Sequence, residues 1–454
     1  MEFRIEHDSL GEVKVPANRY WGAVTQRSYD NFKIGQETMP RPVIQAIAQV
    51  KKAAAITNQA VGGLSEDQSH WIQVVCDEIL AGDLWDHFPL KVYQTGSGTQ
   101  TNMNVNEVIA NRGNELAGQK LLHPNDQVNR SQSSNDVFPT AMHLAAVQTI
   151  HNQLLPALEK TIQTLTHLAN QYQSTIKSGR THLQDATPVT FGQEVSGWCA
   201  SLMQTRRMIK LSLEPLYELA IGGTAVGTGI NADPVYRERI AQEIAKITGL
   251  PFLAAPNKFH ALSSKDELVF AHGSLTALAS DLMKMANDIR WLASGPRCGL
   301  GELTLPSNEP GSSIMPGKVN PTQCEALTML ACQVMANDSL MGLVNSQGNF
   351  ELNVYMPVMI TNFIQSVQLL SDGLISFNDK CLVGIEVNEA QMQAYVDQSL
   401  MLVTKLNPVI GYEKGAQIAK KAYAENTSLK EACLTLGYLS AEEFDRLVDP
   451  STMV

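Results

Sequence analysis

Ala-His-Gly-Ser-Leu-Thr-Ala-Leu-Ala-Ser-Asp-Leu-Met-Lys-Met-Ala-Asn-Asp-Ile-Arg-Trp-Leu, residues 271–292, is the stretch that decides the fold of this chain. Ala271, Leu275, Leu278, Leu282, Met285, Ile289 and Leu292 recur at alternating spacings of four and three, the seam of a helix packed in a bundle. Outward from it, Val147, Ile150, Leu154, Leu158, Ile162, Leu165 and Leu168 predict a second long helix, with a kink at Pro156. Phe363, Val367, Leu370 and Leu374 repeat the signal after Pro357, and Pro321 opens another helix rich in Ala, Met and Leu. Glycine-rich connections such as Gly222-Gly223-Thr224-Ala225-Val226-Gly227 separate these segments. The chain is therefore expected to be mainly α, with a long-helix bundle over 140–387. Residues 1–139, punctuated by Pro16, Pro40, Pro42, Pro89 and Pro124, predict a mostly helical N-terminal domain. Its helices are expected at 43–61, 67–80 and 103–117, with at most a short β element near the start. Beyond residue 387 the helices shorten, with breaks at Asn407-Pro408 and Asn426-Thr427-Ser428, so 388–454 reads as a small helical domain.

At 454 residues with 44% apolar and 17% charged side chains, the chain can bury large cores and lacks the profile of disorder. A formal charge of -11 argues against non-specific nucleic-acid binding, which needs a basic footprint, but permits a small anionic substrate in a locally positive pocket. The seven cysteines form no CxxC pair and read as buried thiols in a reducing compartment. Met1-Glu2-Phe3-Arg4-Ile5-Glu6 lacks the apolar run of a signal peptide, and no segment reaches 18 uncharged apolar residues, so a cytoplasmic protein without a membrane span is expected. Segments such as 324–344 are apolar on more than one face, which predicts oligomerisation.

Four polar clusters interrupt this scaffold. Gly311-Ser312-Ser313-Ile314-Met315-Pro316-Gly317-Lys318-Val319-Asn320-Pro321 puts two hydroxyls, an ammonium and a carboxamide ahead of a helix, a composition suited to holding a small polyanion. Glu325 follows just inside that helix, where an acid is also a simple match to the helix dipole. Gly179-Arg180-Thr181-His182-Leu183-Gln184-Asp185-Ala186-Thr187-Pro188 surrounds an imidazole with polar groups ahead of a proline-marked break. Ser131-Gln132-Ser133-Ser134-Asn135-Asp136 precedes the long helix and reads partly as an N-cap. Gly96-Ser97-Gly98-Thr99-Gln100 has GxG without GxGxxG and follows no convincing strand, which is weak support for a dinucleotide. His123 and Asp126 have no third ligand at metal spacing, and Cys324 and Cys332, about 12 Å apart by helical rise, cannot share an ion. The inventory holds acids, bases and anion donors without a cofactor cradle. It fits proton removal beside a carboxylate followed by loss of a β-substituent.

Gly311-Ser312-Ser313-Ile314-Met315-Pro316-Gly317-Lys318-Val319-Asn320 matches GSSxMPxKxN, the signature loop of the fumarase/aspartase superfamily. Nearly the whole chain resembles its class II, iron-independent fumarase branch, including 96–106, 131–140, 179–188 and Leu406-Asn407-Pro408-Val409-Ile410-Gly411-Tyr412. Thr181-His182 resembles fumarases and argininosuccinate lyases, whereas aspartases typically carry glutamine at the position of His182, and Gly317 fits fumarases where aspartases tend to have alanine. The resemblance implies a three-domain, mainly α fold that assembles as a homotetramer, its active sites shared by three subunits. It implies no cofactor or metal, and reversible anti addition of water to fumarate giving (S)-malate. It assigns Ser312 as the base, Lys318 and Asn320 as holders of the aci-carboxylate, and His182, polarised by Glu325, as the group acting on the leaving hydroxyl through a water. Ser97, Gly98, Thr99, Ser133, Ser134, Asn135, Thr181, Ser313 and Val319 complete the implied substrate contacts, and His123, Pro124, Asn125 and Asp126 resemble the secondary dicarboxylate site. Aspartate ammonia-lyase, with the same scaffold and an amine leaving group, is the nearest rival. Argininosuccinate and adenylosuccinate lyases fit less well, because 131–143 resembles the fumarase version of that segment.

Overall fold

The computed structural model describes residues 2–454 and is mainly helical. The chain condenses into two compact units, each made of three separate stretches, and the cuts between them fall within or beside long helices.

The first unit takes the chain through Pro156, then Thr205–Ala279 and Cys332–Ser371. It opens on an antiparallel hairpin, Phe3–Asp8 with Gly11–Pro16, in which Phe3 pairs with Pro16 and Asp8 with Gly11. This hairpin inverts the usual alternation, which is why its pattern is weak in the sequence. Phe3 and Ile5 face outward, while the Arg4 guanidinium turns in and donates to the carbonyls of Pro16, Arg19 and Trp21. Helices then run over Arg41–Ala60 and Glu66–Ala81, within a few residues of expectation. The second starts on a Ser65/Gln68 capping box and stops at Gly82, whose φ of 98° only glycine adopts freely.

Two boundaries differ from the sequence reading. The helix expected at 103–117 begins four residues earlier, as Thr99–Ala117, because Gly98 in the left-handed region turns the chain directly into it. The helix expected after Pro139 begins before it, as Ser134–Thr149. Ser133 caps its N-terminus, and Pro139 is accommodated near that end, where little of the helical ladder is lost. A π-helical turn, Ile150–Leu154, then leads into Leu155–Gln171. It lies just ahead of Pro156, the position predicted to disturb the helix, and is the local adjustment that takes up a missing N–H. All seven residues of the 147–168 stripe are buried.

The Asp266–Leu292 helix is 27 residues long, about 40 Å by helical rise, and all seven seam residues that predicted it are buried. Met356–Lys380 likewise buries Phe363, Val367, Leu370 and Leu374. Thr322–Asn345 is different. By length and composition it is apolar enough to cross a membrane, yet only 33% of its most apolar window is buried within this chain. Two of its polar residues are engaged: Asp338 pairs with His272 Nδ1 at 2.8 Å, and Asn337 Nδ2 donates to Ser366 Oγ at 3.0 Å. Met329 and Leu343 stand open on its surface.

The second unit comprises Ala157–Gln204, Ser280–Ala331 and Asp372–Val454. Its C-terminal part has a core of its own, built from Val396, Leu406, Ile418, Ala422, Cys433 and Phe444 among others. The break expected at Asn407-Pro408 is instead the start of a short helix, Asn407–Ile410, with Pro408 in the first turn where proline fits. The chain turns at Gly411, φ 87°. The second break falls as expected: left-handed Asn426 ends Tyr412–Glu425, and Ser428 caps Leu429–Thr435. Five cysteines are buried as free thiols, whereas Cys298 and Cys332 are exposed, contrary to the expectation of burial for all seven.

Candidate active site

In the first unit the sequence brings two helix N-termini together. Ser97 Oγ lies 2.8 Å from Thr99 Oγ1 at the start of Thr99–Ala117. Gly96 and Gly98 are dictated by close approach rather than by a nucleotide. A Cβ on Gly96 would meet Val354 O at 1.5 Å, and one on Gly98 would meet the Phe138 ring at 2.3 Å. Ser133, Ser134 and Asn135 form the start of Ser134–Thr149. Asn102 Nδ2 donates to Ser134 Oγ at 3.0 Å and so ties the two ends to each other. Asn135 Nδ2 donates to Ala225 O at 2.8 Å, holding the segment against the glycine-rich 222–227 loop. The hydroxyls and free N–H groups at two helix starts make a field suited to a carboxylate.

Asp136 anchors this arrangement from below. Its two oxygens accept from the N–H groups of Ser133, Gly222 and Thr224 at 2.9, 3.0 and 2.8 Å. Burial pushes its pKa up to about 6 against those hydrogen bonds. Lys51, also fully buried, is pulled down to about 7 by desolvation.

His123 lies in the same unit at the head of a π-helical turn, Pro124–Val128, with Asn125 and Asp126 exposed beside it. Its Nδ1 accepts from the N–H groups of Asn125 and Asp126 at 3.3 and 3.4 Å, and the Asp126 carboxylate stands 3.4 Å from the same nitrogen.

Thr181 and His182 belong to the second unit. The 179–188 cluster lies in a hairpin, and Pro188 falls inside its second strand: Ile176–Thr181 pairs antiparallel with Gln184–Thr190. His182 and Leu183 form its two-residue turn with φ of 57° and 59°, the left-handed pair of a type I′ turn in which glycine or asparagine is usual. Strain of this kind on a non-glycine residue is characteristic of functional positions. The exposed imidazole at the tip is carried on a rigid base. Glu302, fully buried, accepts from Arg180 Nη2 at 2.8 Å and stands 3.0 Å from Lys177 Nζ, which also donates to Glu194 at 2.7 Å. Burial works against the Arg180 charge, but Glu302 holds its pKa above the ordinary value. Arg180 also lies over the Tyr395 ring, 5.4 Å from the centroid.

The 311–321 loop is also in the second unit. It closes on itself: Gly311 N–H donates to Lys318 O at 2.9 Å, and Asn320 Nδ2 donates to Gly311 O at 2.7 Å. Within this ring Ser312 Oγ accepts the N–H groups of Ile314 and Met315, at 3.2 and 3.0 Å. Ser313 through Val319 are exposed, and Gly311, Ser312 and 315–319 of the loop, with the preceding 307–310, line an open cavity of about 520 Å³. The Lys318 ammonium and the Glu325 carboxylate make no hydrogen bond or ion pair among the described residues. Within one chain no hydrogen bond joins His182 to Glu325, Ser312 or Lys318 among those residues.

Residues 11–336 match the family model for lyases, and 402–454 match that for the fumarase C C-terminus. A fumarate hydratase class II of Bacillus subtilis is 59% identical over 458 aligned residues, covering 100% of this chain and 99% of the relative. One from Helicobacter pylori strain J99 is 58% identical with the same coverage. The chain belongs to the class II fumarate hydratase family. The solved class II fumarase of Schistosoma mansoni superposes with a TM-score of 0.98 at 43% identity, covering 100% of this chain and 99% of that one. A fumarase-type fold, a lyase activity and the fumarate hydratase branch rather than the aspartate ammonia-lyase branch follow from this relationship.

Sequence reasoning missed the supports beneath these class II fumarase segments: Lys51, Asn102 as a tie, Lys177 and Glu302. Glu302 had a usable signal, an acid between Leu300 and Leu303 in a segment otherwise free of charge from Cys298 to Pro306. Lys51 had little, because an adjacent lysine on an alanine-rich helix reads as solvated surface.

Proposed function

We propose that this protein catalyses the reversible anti addition of water to fumarate, giving (S)-malate, through the residues assigned by resemblance. In the dehydration direction Ser312, as alkoxide, takes the C3 proton of malate. The electron pair moves into the adjacent carboxylate, and Lys318 and Asn320 hold the resulting aci-carboxylate charge. The C2–O bond then breaks as His182, polarised by Glu325, delivers a proton through a water to the departing hydroxide. Ser97, Thr99, Ser133, Ser134, Asn135, Thr181 and Ser313 orient the dicarboxylate, and Gly98 and Val319 shape the backbone around it.

The observation that carries this reading is the pair of N–H groups aimed at Ser312 Oγ. An unassisted serine hydroxyl is far too weak an acid to lose its proton near neutral pH, and oriented backbone donors favour its anion. Replacing Ser312 by Ala should lower malate turnover by about three orders of magnitude or more, with circular dichroism and assembly unchanged. Turnover within about tenfold of wild type would remove Ser312 as the base.

A homotetramer with active sites shared by three subunits is part of the same proposal. It is supported by the exposed apolar residues of Thr322–Asn345, Met329 and Leu343 among them. His123 to Asp126 is proposed as a secondary dicarboxylate site. The division into 1–139, 140–387 and 388–454 and a cytoplasmic location complete the reading.

A further inference from the structure

We propose that Lys51 is a positioning residue for the dicarboxylate: its buried ammonium clamps Asn129 and Gln132, fixes the turn that carries Ser133 to Asn135, and ties to it the His123–Asp126 turn. The inference rests on the fumarate hydratase reading.

Lys51 stands on Arg41–Ala60, a helix that supplies none of the assigned contacts. Its Nζ donates to Asn129 Oδ1 at 2.8 Å and to Gln132 Oε1 at 2.9 Å. Among the described residues no carboxylate pairs with it; Asp136 is the acid whose charge it feels most, and that carboxylate is occupied by backbone N–H groups. A buried ammonium without an ion-pair partner is costly, so its neighbours show what it holds in place.

Asn129 Oδ1 also accepts from Asn102 Nδ2 and Asn106 Nδ2, both at 3.2 Å, and Asn102 Nδ2 continues to Ser134 Oγ. Asn129 Nδ2 donates to Gln132 O at 3.2 Å. Gln132 Nε2 donates to Val128 O and Arg130 O at 3.2 and 2.9 Å. Val128 is the last residue of the Pro124–Val128 turn. One ammonium therefore grips both ends of the segment between the His123 turn and the Ser134–Thr149 helix. In its protonated form it also adds positive charge to the ends of the two helices, in the sense that favours a dianion.

The test compares full-length wild type with Lys51→Met, Gln132→Met and, as a control, Lys52→Met, which alters a lysine paired with Asp77 instead. Malate kinetics, the inhibition constant of succinate (a saturated dicarboxylate) and the thermal midpoint are measured. Lys51→Met is expected to raise both KM and the succinate constant by about 10- to 100-fold, with kcat within about threefold. Gln132→Met should move them the same way by less, and Lys52→Met not at all. A folded Lys51→Met enzyme with both constants within about twofold of wild type overturns the inference. So does a loss confined to kcat or thermal midpoint. If Lys51→Met does not fold, Gln132→Met decides by the same criteria. Failure of the functional reading is separate: the wild type itself would then not dehydrate malate.

Discussion

Glu302→Gln tests whether the strained His182 turn depends on the buried ion cluster beneath it. Glu302 faces Arg180 at 2.8 Å and Lys177 at 3.0 Å. At an effective dielectric near 20, each contact corresponds to roughly 5–6 kcal/mol of attraction, most of which offsets the cost of burying the three groups. The substitution keeps the shape and removes the charge, leaving Arg180 without its buried counter-ion. Lys177 retains Glu194 at 2.7 Å, which moderates the loss. Breaking one partner of a buried pair costs about 3–5 kcal/mol, and with Glu194 still present the expected destabilisation is about 3 kcal/mol. The same hairpin presents His182 at φ 57°, so loosening its base should let the turn relax and lower kcat by about 10- to 100-fold. Urea unfolding reads the first effect and malate dehydration the second, on protein confirmed as folded. Glu302→Asp should recover part of both losses. Unchanged stability and unchanged kcat in Glu302→Gln would refute the reasoning, because a carboxylate engaged with two cations cannot then be supporting the turn.

Gly98→Ala combines a left-handed φ of 72° with a Cβ 2.3 Å from the Phe138 ring; it should cost about 2–4 kcal/mol in urea unfolding and raise KM, and a neutral effect would contradict the packing account. His123→Asn should leave kcat/KM for malate within about twofold, and a large loss would place His123 in the catalytic pocket instead. Burial of His143, with Lys265 adding to it, lowers its pKa from 6.5 to about 3, below its value in the unfolded chain. Its contribution is thus complete above pH 6.5 and is lost as pH falls toward 3, by about 2 kcal/mol between pH 6.5 and 5. His143→Gln, whose amide can still donate to Glu218 O, should flatten that limb of the urea midpoint against pH, and an identical slope in both proteins would rule His143 out.

The long helices were legible in the sequence because their cores are periodic. A seam at 271–292 or a stripe at 147–168 has one face to bury, and hydrophobic burial selects that face whatever the neighbours are. The signature loop at 311–320 was legible for a different reason: its donors are local, and Ser312, Ile314 and Met315 meet within four residues. Helix starts were less so, since Gly98 and Ser133 act through backbone angles and caps that composition only hints at. The 176–190 hairpin hid behind its polarity.

Only the tertiary structure decided why Gly96 and Gly98 must lack side chains, because the atoms that exclude a Cβ belong to Val354 and Phe138, far along the chain. It also decided that Lys51 and Glu302 are interior groups beneath candidate site segments. Sequence determined which residue types were available and which faces turned inward; the fold determined which distant groups met. The physical reason is range. Helical periodicity and turn chemistry act over a few residues, whereas the partner of a buried charge is chosen by packing between elements 78 to 122 positions apart.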